Sequence, residues 1–177
     1  KYIEEMLAQG IEQRNASKSD IDGSMVRLHR LNESTAGESV PQLRAELQNI
    51  MQNYFGVFRK GNFMQEGIKK LEELRERIAN VHLKDKSSTF NTARIEALEL
   101  ENLFEVAEAT AIAAEARTES RGAHARDDFR ERDDENWMKH TVMWLDEQNK
   151  SKLDYRKVVM TTLSNDIAPI PPAPRVY

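Results

Sequence analysis

Apolar positions recur at intervals of three and four through the first two thirds of the chain, then give way to an alternating, β-branched pattern. The spacing is clearest from Met64 onward, where Met64, Ile68, Leu71, Leu74, Ile78 and Val81 step by fours and threes while "EELRER" places Glu and Arg on the other face. That is the seam of a helix packed almost antiparallel to its neighbours. Leu43, Leu47, Ile50, Tyr54 and Val57/Phe58 form a similar stripe upstream, opened by Ser39 and Gln42 around Pro41. Gly61 is expected to end this helix and Asn62 to cap the next. After the polar loop "HLKDKSSTF", Asn91 starts the longest helix, which runs to about Arg117. Its core positions are read as Ile95, Leu98, Leu103, Val106 and Ile112, and its second half is dense in Ala, so that another backbone can approach closely. Nearer the start, Ile3, Leu7 and Ile11 mark a short helix. Ser19 with Asp22 has the form of a capping box opening another through Ile21, Met25, Leu28 and Leu31, and "NESTAGES" follows as a loop.

Beyond Gly122 the period changes. "WMKHTVMWL" (Trp137–Leu145) and "LDYRKVVMTTL" (Leu153–Leu163) are rich in Val, Thr and aromatics, with "DEQNKS" between them, and predict an antiparallel hairpin. An isolated hairpin is marginal in water, so this one needs a helix face or another body to lie on. "APIPPAPRVY" is expected to be extended and polyproline-like. The fold class is therefore mainly α: a three-helix up-down-up bundle, spectrin-repeat-like, with a C-terminal β-hairpin and an extended tail. Residues 1–120 form the helical part; 121–177 form a charged connector, the hairpin and the Pro-rich tail.

Composition narrows the function. At 177 residues the chain is long enough to bury a real core, and its 39% apolar and 32% charged residues are polar but not those of a disordered chain. The net charge of −4 argues against nucleic acid as a partner. The absence of Cys excludes disulfide scaffolds, thiolate metal sites and Cys nucleophiles. No run approaches the ~18 apolar residues of a membrane span. Lys1 is not an initiator Met and "KYIEEMLAQGIEQRN" already reads as helix, so a piece of a longer protein is expected.

The chain leaves its Ala-rich helix for "RTESRGAHARDDFRERDDENW", Arg117 to Trp137, charged in both signs with no aliphatic residue larger than Ala. No phosphate loop, G-x-S-x-G or H-E-x-x-H motif occurs. His29 and His82 read as surface residues. His124 and His140 with Asp127, Asp128, Asp133 or Asp134 are a conceivable donor set for a divalent ion, but without compact ligand spacing no metal site is assigned. Arg117, Arg121 and Arg126 flank Glu119 and His124, and Arg stays charged and forks onto carboxylates. Two readings stay open: an internal ion network tying the tail to the helices, or a docking surface whose partners lie on another domain or subunit.

The string "RTESRGAHARDDFRERDDENWMKHT" closely resembles the C-terminal signature of succinate dehydrogenase and fumarate reductase flavoprotein subunits: T-E-S-R-G-A-H, an acidic/basic run, then R-D-D-x-N-W and a His. "MQNYFGVFRKGNFMQEGIKKLEELRERI", "SSTFNTARIEALELENLFEVAEATAIAAEARTESRGAH" and the terminal "PPAPRVY" agree in order. The likeness covers essentially the whole chain, best from Leu43 to Thr141, and is nearest to succinate dehydrogenase. Arg130 departs from it, standing where Pro is common. The residues matching the motif are Arg117, Glu119, Ser120, Arg121, Gly122, His124, Arg126, Asp133, Asp134, Asn136, Trp137 and His140. Gly122 fits a tight turn with positive φ, and Trp137 an aromatic anchor.

What the resemblance implies is a parent subunit that binds FAD covalently and oxidises succinate to fumarate by hydride transfer. Its flavin-binding and catalytic residues are expected upstream of Lys1, so no catalytic, cofactor-binding or metal-binding residue is assigned here. The implied partners are the FAD-binding and capping domains of the same subunit, the iron–sulfur subunit and, indirectly, the membrane anchor subunits. The implied place is the cytoplasmic face of a bacterial inner membrane or the mitochondrial matrix side. The alternatives are the same domain of fumarate reductase or L-aspartate oxidase, or a free-standing helical adaptor.

Overall fold

A computed structural model describes residues 1–11, 15–146 and 150–173. Helices α1 (Tyr2–Ala8), α2 (Lys18–Glu33) and α3 (Val40–Phe55) come first, then a two-residue strand β1 (Phe58–Arg59). Helices α4 (Gly61–Ile78) and α5 (Thr92–Ala116) follow, then β2 (Ala125–Arg126), the single-turn α6 (Asp134–Trp137), and strands β3 (Lys139–Leu145) and β4 (Ser151–Lys157). The architecture is mainly helical with a small C-terminal antiparallel hairpin, as the periodicities predict.

Helices α3, α4 and α5 each pack against the other two. Their shared core comprises Leu43, Leu47 and Ile50 of α3, Met64, Leu71, Leu74 and Ile78 of α4, and Leu100 and Phe104 of α5. The α4 seam read from the sequence is the buried one, with Ile68 partly covered. Val81 is buried too, but beyond the helix, where it bridges Glu38. Burying each large apolar side chain contributes about 1.5–3 kcal/mol, and α4 gives four to one stripe.

Helix α5 corrects the sequence reading in part: Leu98 packs against the core and Ile112 is half-buried, but the other three positions are exposed. Ile95 is 55% exposed and Val106 64% exposed, and Leu103 is exposed as well. The buried face is instead Ala97, Leu100, Phe104, Ala107, Ala111 and Ala114. Four alanines share that face with Leu100 and Phe104, while Ile95, Leu103 and Val106 lie on the outer face. The same applies at the start of the chain: Ile3, Leu7, Ile21 and Met25 are exposed, and Ile11 lies beyond α1. Of α2, only Leu31 is fully buried, and Arg27 and Arg30 tie the helix to α5 by converging on Glu101.

Three boundaries also differ from expectation. The capping box on α2 is Ser17 with Asp20, two residues before the Ser19/Asp22 pair of the same spacing; Ser17 Oγ accepts from the Asp20 amide at 3.1 Å. Helix α3 ends at Phe55 with Gly56 as its C-cap, leaving Val57 and Phe58 exposed. Helix α4 begins at Gly61 rather than after it, with no local side-chain cap. Asn91 does cap α5, its Oδ1 accepting from the Arg94 amide at 2.8 Å.

The hairpin pairs Lys139 with Lys157 through to Leu145 with Ser151, and both strands pack on α5. Its second strand lies earlier than expected, and Val158–Leu163 is not strand. The middle of the "DEQNKS" loop (147–149) and the final residues 174–177 of the tail lie outside the described residues; residues 168–173 carry neither helix nor strand.

Gly67 of α4 lies against the last residues of α3. A Cβ there would lie 2.6 Å from Tyr54 Cβ and 2.6 Å from the Phe55 ring. By propensity alone Gly→Ala inside a helix gains roughly 0.5–1 kcal/mol. Here the overlap is with packed side chains at the helix seam, so Gly67→Ala is expected to destabilise by about 1–3 kcal/mol, read as a lowered urea midpoint at unchanged slope.

Candidate functional site

The charged stretch begins where α5 ends and closes a joint between four elements. Helix α5 leaves unsatisfied carbonyls at its C-terminus, and Gly61 opens α4 with unsatisfied amides. Arg126, only 3% exposed, reaches the first set: its Nη1 donates to the carbonyls of Glu115 at 2.9 Å and Arg117 at 3.0 Å. Its Nε and Nη2 fork onto Asp128 at 2.8 and 2.9 Å. Asp128 in turn accepts from the Gly61 amide at 2.8 Å. A cation thus sits at the negative end of α5 and an anion at the positive end of α4, the arrangement that the two helix dipoles favour. Arg126 draws the Asp128 carboxyl well below its ordinary range against the opposing effect of burial, and the Gly61 amide adds to the shift. Strand β2 runs parallel to β1, with the Asp127 amide donating to the Arg59 carbonyl at 2.8 Å.

Glu119 is the second centre of the joint and has no solvent exposure. Its Oε1 accepts from Arg117 at 2.5 Å and from Arg121 at 2.8 Å. Its Oε2 accepts from Arg121 at 3.0 Å and from the Asp133 amide at 2.9 Å. Burial pushes the Glu119 carboxyl up, but the bonds from Arg121, the Asp133 amide and Arg117 together outweigh it and leave it below its ordinary value. Arg121 also reaches Asp134 at 2.7 Å. Arg117 carries the network into the hairpin through the Lys139 carbonyl at 2.5 Å and Thr141 Oγ1 at 3.1 Å. Its guanidinium lies 4.9 Å from the centre of the Trp137 ring, which meets Tyr155 edge-on at 5.8 Å.

The remaining motif residues shape the turn. Gly122 takes φ +59°, as expected, between Arg121 and His124, which exchange backbone hydrogen bonds. Ser120 Oγ accepts from the Arg126 amide at 2.8 Å and donates to the Phe129 carbonyl at 2.8 Å. Asp133 caps α6, accepting from the Asn136 amide at 2.9 Å and from its side chain at 2.9 Å. His140 is exposed on β3.

His124 is enclosed by cations. Its Nδ1 accepts from Arg59 Nη1 at 2.8 Å, and its Nε2 lies 3.2 Å from the Arg117 carbonyl, to which it donates. Burial lowers its pKa most; the Arg117 carbonyl opposes this, and the charges of Arg59, Arg126 and Arg117 lower it further. The ring is therefore held neutral. His124 and His140 do line one groove, but among the described residues no three His, Asp or Glu side chains are grouped to hold a metal ion. Sequence reasoning missed Arg59 and Gly61, and it took Asp128 only as a metal candidate. Both partners lie more than sixty positions from the residues they meet.

Together these features define a helical domain whose motif charges are occupied in fastening a hairpin to the helices. Residues 44–177 match the family described as fumarate reductase flavoprotein C-term, and the chain belongs to that family. It is 45% identical over 174 residues to the succinate dehydrogenase flavoprotein subunit of Coxiella burnetii, covering 98% of this chain and 29% of that protein. It is 39% identical over 175 residues to the mitochondrial succinate dehydrogenase flavoprotein subunit of Oryza sativa, with 99% of this chain and 28% of that protein covered. Among solved structures, FrdA of E. coli quinol fumarate reductase superposes with a TM-score of 0.77 at 38% identity, covering 85% of this chain and 27% of that one. The chain thus spans under a third of the length of these relatives.

Two outcomes follow for stability. Arg126→Ala strips the carbonyl cap from α5 and leaves Asp128 without its cation, and is expected to lower unfolding free energy by about 1–3 kcal/mol in urea titrations. Because His124 binds its proton less readily folded than unfolded, stability is full above the ordinary His value of 6.5 and falls as pH drops below it. His124→Gln is expected to flatten that part of the profile. It leaves the more acid loss, in which Glu119 and Asp128 are protonated below their ordinary values of 4.5 and 3.8.

Proposed function

We propose that the chain is the C-terminal structural and interface domain of a succinate dehydrogenase flavoprotein subunit. The whole subunit would oxidise succinate to fumarate through covalently bound FAD and pass electrons to an iron–sulfur subunit and on to quinone. The chemistry belongs to the preceding part of the subunit, and this chain supplies packing surface. The observation that carries the reading is the placement of the motif residues: Arg117, Glu119, Arg121 and Arg126 are occupied by one another, by helix ends and by the hairpin. Residues so engaged hold a shape.

Within this reading α3, α4 and α5 form an up-down-up bundle, supported by the meeting of the α5 C-terminus and the α4 N-terminus at Arg126 and Asp128. Residues 1–120 are the packing body; 121–177 are an arm that lies against the FAD-binding and capping domains and near the iron–sulfur subunit. No helix among the described residues is long and apolar enough to cross a membrane. Attachment to the cytoplasmic face of an inner membrane, or to the matrix side, would run through the anchor subunits. The likeness to E. coli FrdA favours a second reading, in which the same domain serves a subunit that reduces fumarate.

Incubated with FAD and succinate, the isolated chain is expected to stay colourless after gel filtration and to reduce no dye. The coding sequence upstream of Lys1 is expected to encode a dinucleotide-binding G-x-G-x-x-G. Succinate-dependent dye reduction by the chain alone would end this reading, and an unrelated upstream region would point to a free-standing adaptor.

A further inference from the structure

The groove between α5 and β3 has a charge character opposite to that of the chain. The sequence carries 26 basic and 30 acidic residues. Yet the groove is lined by Arg59, Arg117, Arg121, Lys139, His124 and His140 among neutral residues, and no carboxylate of the described residues lines it. Glu119 lies behind this wall with no solvent exposure and both oxygens engaged, so it neutralises from within and offers nothing to the groove.

Two of the cations have no carboxylate partner among the described residues. Arg59 gives its Nε to the carbonyls of Phe55 and Gly56 and its Nη1 to His124, and makes no ion pair among the described residues. It is held beside Arg126, whose own counter-ion Asp128 is fully occupied. Lys139 likewise has no ion pair among the described residues; its ammonium stands 4.7 Å from the centre of the Trp137 ring and 4.2 Å from that of Tyr155. Both are half-buried. A partly desolvated cation fixed by neutral acceptors and rings gains most from an incoming anion, because hydrogen bonds between charged groups are about twice as strong as neutral ones.

We propose that this groove receives an Asp or Glu side chain from the portion of the same flavoprotein subunit that lies outside these residues, with Arg59 and Lys139 as its two contacts. The proposal rests on the reading of the chain as an interface domain. The occupant follows from charge complementarity and from length, since the matched region is only 29% of the Coxiella burnetii subunit, leaving the rest of the same polypeptide as the nearest large body. His124 is a positioning residue: as a neutral acceptor it keeps Arg59 aimed along the groove without adding a charge.

Carbodiimide coupling joins lysine amines to carboxylates in direct contact, so it reads this pair whichever carboxylate the partner segment supplies. In the full-length subunit within its complex, peptide mass spectrometry is expected to find Lys139 joined to an Asp or Glu of that subunit outside the 177 residues. Lys139→Arg, which keeps the charge and removes the amine, abolishes that peptide. Arg59→Gln, which keeps donors but removes the charge, reduces it, while Lys139→Arg guards against a misfolded Arg59 variant being misread. Coupling of Lys139 only to carboxylates within these residues, coupling to a different subunit, or protection by free succinate with no protein cross-link each overturns the proposal. If other lysines of this chain couple to the rest of the subunit while Lys139 does not, the interface reading survives and this one fails. If no lysine of the chain does, both fail.

Discussion

A carboxylate with no access to water and two guanidiniums closed over it sets the shape of the C-terminal half of this molecule. Removing Glu119 from solvent is unfavourable by several kcal/mol unless every lone pair is met, and here Arg117, Arg121 and the Asp133 amide meet them. Each of those partners belongs to a different local structure: the C-cap of α5, the Gly122 turn and the N-cap of α6. The carboxylate can be satisfied in only one arrangement of the three. Satisfying it fixes the direction in which the chain leaves α5, and through Arg117 it fixes where β3 starts.

Arg126 and Asp128 do the corresponding work between helices. Helix α4 has no local cap and α5 ends without a glycine, so each end needs a partner from elsewhere. The connector supplies a cation to one and an anion to the other within three residues of sequence. The helical core and the hairpin are thereby coupled: neither helix end is complete without the connector, and Arg117 ties the start of β3 to the end of α5, on which both strands pack. On the proposed reading this arm presents a surface, and within its groove Arg59 and Lys139 make no ion pair among the described residues.

Much of this was legible where the determining contacts are local. The α4 seam, the Asn91 cap, the limits of α5, the positive φ of Gly122 and a hairpin in need of a helix face all follow from spacing and residue type. The inward face of α5 did not, because large side chains attract the eye while the packing selects Ala97, Ala107, Ala111 and Ala114. The start of α4 did not either, since its cap is an Asp from the connector. The arginine-rich stretch announced that ion pairs would form, but two readings of their partners stood equally. The choice depended on folding the connector back against β1, which the pattern of residues does not encode locally. The strand boundaries of the hairpin slipped because Val158–Leu163 has strand-like composition but no pairing partner.

Native-state hydrogen exchange on Glu119→Gln tests the central claim most directly, since the substitution keeps the shape and removes the charge that joins the pieces. The amides of β3 and of the 117–137 connector are expected to lose protection while core amides of α3 and α4, such as those of Leu47 and Leu71, keep theirs. Unchanged protection in the hairpin would mean that the hairpin is held by packing alone, and an equal loss throughout the chain would mean that Glu119 supports the core and not the joint; either result contradicts the account.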